Sequence, residues 1–246
     1  LLLFGAGLLL RTLVAVDSFD RGYRAGSVLS MLVDPLGSKY PTPEALQQFY
    51  DLVESEVRAA PGVADMAWTS SLPLSFFDEE GLSYEIVGDP PLEDSRRPAT
   101  EYQVVSPTYF QTLDLPIIAG RAFDRQDTRG AVPVAIVNEG FVKTLGERSP
   151  IGLRVALRPA SSPQAEPVIR EIVGVARQVK GRPDEAEDLV QIYAPVAQDL
   201  SDDVYLVVRP TSGEAIALAP GVRAAISRID KEQLVSVRGV RTLADI

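Results

Sequence analysis

The chain of 246 residues, 46% hydrophobic and 24% charged, is long enough for one large domain or two small ones, and its balance excludes disorder, collagen-like repeats and coiled coil. It contains no Cys and no His, which removes thiol nucleophiles, disulfides, cysteine–histidine zinc sites and Ser-His-Asp triads. The net charge of −10 is uneven: residues 1–100 carry 15 acidic and 7 basic groups, 101–183 carry 8 and 11, and 184–246 carry 11 and 6. No concentrated positive field for nucleic acid exists, and the mildly basic middle between acidic ends points to a separate unit.

Residues 1–10 have no polar side chain, and Arg11 follows. Ten apolar residues make about 15 Å of helix, half of a ~30 Å hydrocarbon core. A buried core helix, a signal remnant and the outer end of a truncated transmembrane helix over 1–16 all fit. The last is favoured, because Gly5-Ala6-Gly7 suits close packing in a membrane and Arg11 suits a helix end where its head can snorkel.

Residues 28–33 predict a strand buried on both faces. Thr42-Pro43-Glu44 is a helix start, with Thr as N-cap, Pro in the first turn and an acid beside it. Leu46, Phe49, Tyr50, Val53 and Val57 form one apolar stripe, Pro61-Gly62 stops the helix, and 63–70 is a second strand. The order recurs near the C-terminus: strand 204–209, a helix carrying Leu218, Val222, Ala225, Ile226 and Ile229 and starting near Pro220, then strand 234–237. Two β-α-β units this far apart predict one sheet-and-helix layer split by an insertion. Within the insertion, 134–137, 154–157, 169–175 and 190–193 read as short strands and 139–145 as a short helix, a β-rich unit with few helices.

Several stretches in order carry a family resemblance: GAGLLLR at 5–11, SSLPL at 70–74, VVSPTYF at 104–110, GRAF at 120–123, VAIVNE at 134–139, PIGLR at 150–154, EIVGV at 171–175 and IYAP at 192–195. Together they resemble the MacB-like periplasmic core domain of bacterial ABC-type, FtsX-like permeases. The resemblance implies an α+β fold, a porter-like layer of two β-α-β units split by a β-rich inserted, sabre-like subdomain. The expected division is a membrane-helix end at 1–16, a discontinuous porter-like subdomain at 17–104 and 201–246, and the insertion at 105–200. It further implies a domain anchored in the bacterial inner membrane and facing the periplasm or exterior. A second permease copy, a cytoplasmic ATPase and, in some branches, a periplasmic partner protein would work with it, in efflux or other mechanotransmission. It implies no catalytic, cofactor or metal residues. The sequence departs from the family at Pro220-Gly221 and at Gly140, where Ala is commoner; both predict weakened helices.

The remaining constellations have plain readings. No phosphate-binding loop exists: none of Lys39, Lys143, Lys180 and Lys231 follows the required glycines, so nucleotide hydrolysis must sit elsewhere. The acidic run 184–188 lacks the alternating spacing that wraps calcium and reads as a solvated loop. Ser70-Ser71 has no base and reads as caps of a strand end, and Asn138-Glu139 reads as a helix cap with its first-turn acid. Arg121, Arg125 and Arg129 read as a surface turn with local ion pairs. Phe76 and Phe77, in a polar loop beyond a strand end, are the candidate partner contact; the alternative is that they fold back over the sheet. A free-standing secreted, carboxylate-dependent hydrolase and a passive periplasmic binding module are the competing functions. The first is poorly served by one Trp, Trp68, placed inside a strand.

Overall fold

The computed structural model describes residues 28–35, 39–72, 81–179, 189–200 and 204–231, and the backbone of 235–242. In chain order its first elements are β1 (Leu29–Val33), α1 (Pro43–Arg58), β2 (Val63–Thr69), β3 (Leu82–Ile86), β4 (Ala99–Val105), α2 (Tyr109–Thr112) and β5 (Ile117–Gly120). There follow β6 (Val134–Asn138), α3 (Glu139–Thr144), β7 (Arg154–Pro159), β8 (Val168–Ala176), β9 (Gln191–Pro195), β10 (Val204–Pro210), α4 (Ala219–Ile229) and β11 (Val235–Thr242). The fold is α+β.

The two β-α-β units interleave rather than lie side by side. β10 sits between β1 and β2 and runs antiparallel to both, while β11 flanks β1 on its other edge. Helices α1 and α4 pack on one face of these four strands. In α1 the Thr42 Oγ1 accepts from the Ala45 N–H at 3.2 Å, Pro43 occupies the first turn, and all five predicted stripe residues are buried. Rings stack inward from Tyr40 through Phe49 and Tyr50 to Trp68 at centroid spacings of 4.6, 5.8 and 4.9 Å. Val222, Ala225 and Ile226 of α4 complete this core, each large buried side chain contributing about 1.5–3 kcal/mol.

Pro220 lies in the first turn of α4, where a missing N–H breaks no helical bond, and a 3-10 turn at Ala215–Leu218 precedes it. The weakened helix expected at Pro220-Gly221 is therefore a helix start. At Gly140 the outcome also differs from expectation: a Cβ there would fall on the Leu189 carbonyl oxygen, so glycine is what lets α3 approach that backbone.

The sheet continues through β4, β3, β7, β8, β6 and β9. β4 and β9 pair in parallel, β6 lies between β8 and β9, and β5 adds to β8. Strands β3, β4 and β5 and helix α2 carry no clear periodicity in the sequence. β3 and β4, left with the first unit by the sequence reading, are hydrogen-bonded to β7 and β9, and β2 meets β4 at a single ladder pair, Thr69 with Val105. One face of this half is closed by α3, whose Phe141, with Leu145 just after the helix, packs on Tyr84, Val155, Leu157 and Ile172. A further core joins the halves: Val28, Ala67 and Val207 from the layer meet Ile136, Ala176 and Tyr193, with Tyr109 and Phe110 of α2 between them.

Candidate functional site

Polar side chains converge on the junction between the helix-backed layer and the β-rich half. Antiparallel partners in a hydrogen-bonded pair normally exchange two backbone bonds. At Ser70 and Val104 one bond is ordinary, Ser70 N–H to Val104 O at 2.9 Å, but the return bond runs from Val104 N–H to the Ser70 hydroxyl at 3.0 Å. The other side of the junction mirrors it: Ser106 N–H donates to Trp68 O at 2.9 Å, and Trp68 N–H donates to the Ser106 hydroxyl at 2.9 Å. Pro107 follows Ser106, so no ladder donor is available at the next position.

Side chains take over where the ladder stops. The Met66 carbonyl accepts from Thr108 Oγ1 at 2.7 Å and from Arg58 Nη2 at 3.1 Å. Arg58 also pairs with Asp65 and Glu54, and these carboxylates hold its pKa above the ordinary value against the opposing effect of burial. The buried Gln103 amide shares its two N–H groups among Thr69 Oγ1 at 2.8 Å, the Tyr109 hydroxyl at 3.1 Å and the Ser71 carbonyl. From β10, Arg209 donates to the α2 carbonyls of Thr112 and Gln111 at 2.8 and 2.7 Å, capping the negative end of that short helix. On the return path, Gln198 accepts from Val134 N–H at 3.0 Å and from Arg170 at 3.1 Å. Asp199 accepts from the Tyr102 hydroxyl at 2.6 Å and Arg170 at 3.2 Å. Burial, with the nearby Asp199 charge, pushes the Tyr102 pKa well above the ordinary phenol range despite the opposing Arg170 charge.

A second network lies at the head of α3. Asn138 is fully buried; its Oδ1 accepts from Phe141 N–H at 2.9 Å and Gln191 N–H at 3.0 Å, and its amide donates to Leu189 O at 2.6 Å and to Gln178 at 2.9 Å. Glu139 accepts from Gln178 N–H at 2.7 Å. The cap-and-acid reading of Asn138-Glu139 is borne out, and Gln178 and Gln191 are partners that periodicity could not have revealed.

Arg121 forks onto Asp127 with two bonds of 2.8 Å, and Arg129 lies 3.6 Å from Glu44. Burial disfavours the Asp127 charge, but the Arg121 fork and the Asp124 N–H outweigh it and hold the carboxyl below its ordinary range. Of the local ion pairs expected in this turn, those of Arg121 with Asp124 and Asp127 are present, whereas the partner of Arg129 is Glu44 in α1. The Ser70 hydroxyl accepts a backbone N–H, but across the junction, and at Ser71 it is the carbonyl that accepts, from Thr69 Oγ1 at 2.7 Å and from Gln103. Among the described residues no group of three or more carboxylates is placed to hold a metal ion. A groove of about 510 Å³ runs beside the turn that follows β3, with Val87, Pro90, Leu92 and Leu145 as apolar lining and the Arg148–Asp89 pair, 2.7 Å, at its rim. Phe76, Phe77, the acidic run 184–188 and the expected anchor at 1–16 lie outside the described residues. Among the described residues no helix is long and apolar enough to cross a membrane.

The family model of the MacB-like periplasmic core domain matches residues 11–225. No curated protein matches the chain. The periplasmic region of MacB from Actinobacillus actinomycetemcomitans is similar in structure, with a TM-score of 0.55 at 10% identity over 89% of this chain and 90% of that one. The extracellular domain of the noncanonic ABC-type transporter YknZ from Gram-positive bacteria gives a TM-score of 0.50 at 13% identity, over 88% of this chain and 97% of that one. At these identities the likeness is one of fold.

Proposed function

The chain belongs to the MacB-like periplasmic core domain family, and on that premise we propose that it is the extracytoplasmic part of an ABC permease subunit that couples cytoplasmic ATP hydrolysis to motion, or to substrate export, outside the membrane. The observation that carries this reading is the family match over residues 11–225, which takes in β1 to β10, all of the β-rich half and the first part of α4. In this reading the permease sits in the bacterial inner membrane and works as a pair of copies with a cytoplasmic ATPase, and a periplasmic protein is a further partner. The layer acts as a porter-like subdomain and the β-rich half as its insertion. Because β3 and β4 pair with β7 and β9, we draw the boundary between Ser70 and Gly81 instead of at residue 104. The chain performs no chemistry of its own; the phosphate-binding loop it lacks belongs to the ATPase.

Phe76 and Phe77 are the residues we assign to the partner contact. Replacing both by Ser leaves the thermal midpoint unchanged if they serve a partner, and a large drop in that midpoint would return them to the core. The reading as a whole is tested on the intact gene product. Co-expressed with the ATPase encoded beside it and reconstituted in nanodiscs, it should raise that ATPase's turnover above that of the ATPase alone. A gene with a cleavable secretion signal before this segment, a stop codon after residue 246 and no neighbouring ATPase would overturn it.

A further inference from the structure

We propose that Ser70 and Ser106 are positioning residues that clamp the helix-backed layer to the β-rich half, so that the two turn as one body. The functional meaning of the clamp rests on the permease reading above; the clamp itself rests on geometry alone.

The backbone join between the halves is small. β2 and β4 share one ladder pair, flanked by the bonds from Ser70 N–H and Ser106 N–H. A seam of so few bonds would ordinarily bend. Here each end carries a return bond from the opposite strand to a serine hydroxyl: Val104 N–H to Ser70 and Trp68 N–H to Ser106. The donors belong to buried residues, Val104 at 6% and Trp68 at 2% exposure, so neither N–H can turn to water when a hydroxyl is removed. At each end the serine Oγ takes the place of that residue's own carbonyl as acceptor, so neither donor is left unpaired where the ladder stops. The sequence continues with Pro107 after one serine and Pro73 two residues after Ser71, so ordinary pairing cannot extend to compensate. Thr108 and Arg58 on Met66 O, and Arg209 on α2, hold the same seam from either side over the shared core. Small motions at one half are passed on when the connecting elements are packed and hydrogen-bonded rather than hinged. This gives the SSLPL and VVSPTYF stretches a mechanical role.

The absence of Cys allows clean spin labelling of the full chain. One label pair spans the seam, at Leu52 of α1 and Val168 of β8, both more than half exposed at 54% and 52%. A control pair lies within the layer, at Leu52 and Ile216. The expected result is one narrow distance peak for the spanning pair, broadened or split in S70A/S106A while the control pair stays narrow. In S70T/S106T, which keeps both hydroxyls, the narrow peak should return. A broad spanning distance in the parent would mean a hinge and overturn the proposal, as would a peak unmoved by S70A/S106A. Equal broadening of the control pair would assign the serines to general stability and overturn it too. Where the double variant fails to fold, S70A alone is measured under the same criteria. No ATPase enters this measurement, so its failure is distinguishable from failure of the permease reading.

Discussion

The helix-backed layer and the β-rich half bury their sheet faces by different means. The layer relies on repeated apolar positions: the α1 stripe, the α4 stripe and alternate strand residues interlock in one core, and its glycines have no backbone atom against them, although Gly62 and Gly213 hold positive φ. A Cβ on Gly62 would meet a side-chain methyl of Leu218 at 3.2 Å, and at Gly213 or Gly221 it would meet nothing. The β-rich half relies on single residues. A Cβ at Gly120, Gly140 or Gly174 would fall on a carbonyl oxygen of Val173, Leu189 or Arg121. Its buried polar residues Asn138, Gln178, Gln191 and Arg170 are tied into specific bonds. A core made of repeats tolerates local change by repacking, whereas a backbone-on-backbone contact has no soft atom to yield.

Replacement of Phe49 by Ala puts the largest load on the layer. The ring is 1% exposed and stacks between Tyr40 and Tyr50, so its loss should cost about 3–5 kcal/mol in urea unfolding. The shared core around Tyr109 predicts that both halves then unfold in one transition. Two separated transitions would break the picture of a joined molecule. Next in size is Gly174→Ala in β8, where the new methyl meets the Arg121 carbonyl; about 3 kcal/mol is expected, read from the same unfolding curve. Asn138→Ala should follow at about 2 kcal/mol, because Phe141 N–H and Gln191 N–H lose their acceptor in a buried site. A cost near zero would mean that Gln178 can replace it.

Legibility in the sequence follows the same division. Thr42-Pro43-Glu44, the five-residue stripe of α1 and the start of α4 at Pro220 are local signals, and the structure matches them nearly residue for residue. The strands read at 134–137, 154–157, 169–175 and 190–193 each carry a short apolar stretch, and they fall on β6, β7, β8 and β9. β3 and β4 were not legible: Ser83, Thr100 and Gln103 interrupt their alternation, and their stability comes from partners up to about ninety residues away, such as Val190 for Thr100. Gly140 reads as a weak helix residue because propensity is a one-residue quantity, and the backbone it accommodates lies at Leu189. The junction shows the same limit. Ser70 is visible as a strand-end serine and Ser106 only as part of the VVSPTYF stretch, and their reciprocity depends on β2 meeting β4, which no spacing encodes.

The pH response should be smaller and should fall on the β-rich half. The folded pKa of Asp127 is depressed, so its contribution is complete above the ordinary carboxylate pKa and is lost as pH falls below about 4 toward the lower folded value. The loop that Arg121 holds should loosen across that window, seen as faster amide exchange at Asp124, whose N–H bonds Asp127 at 2.9 Å. In Asp127→Asn this acid step should vanish. A step that persists unchanged would assign it to Glu85, whose pKa is also depressed: burial opposes its charge, but the Leu92 N–H, Arg158 and Arg97 prevail.

The smallest effect has the opposite sign and tests the comparison most directly. Gly221 stands in the first turn of α4 with a helical backbone, and a Cβ there would meet no atom within 4 Å. Alanine narrows the unfolded ensemble and favours the helix, so Gly221→Ala should stabilise by about 0.4–1 kcal/mol. The same substitution at Gly140, also in a helix, brings the same entropic gain but drives a methyl into the Leu189 carbonyl, and should destabilise. Because propensity favours Ala at both positions, a difference in sign can come only from the surroundings. Should both variants melt higher than the parent, α3 would have to be free to lift from Leu189, and the close backbone approach that distinguishes the β-rich half would lose its energetic role.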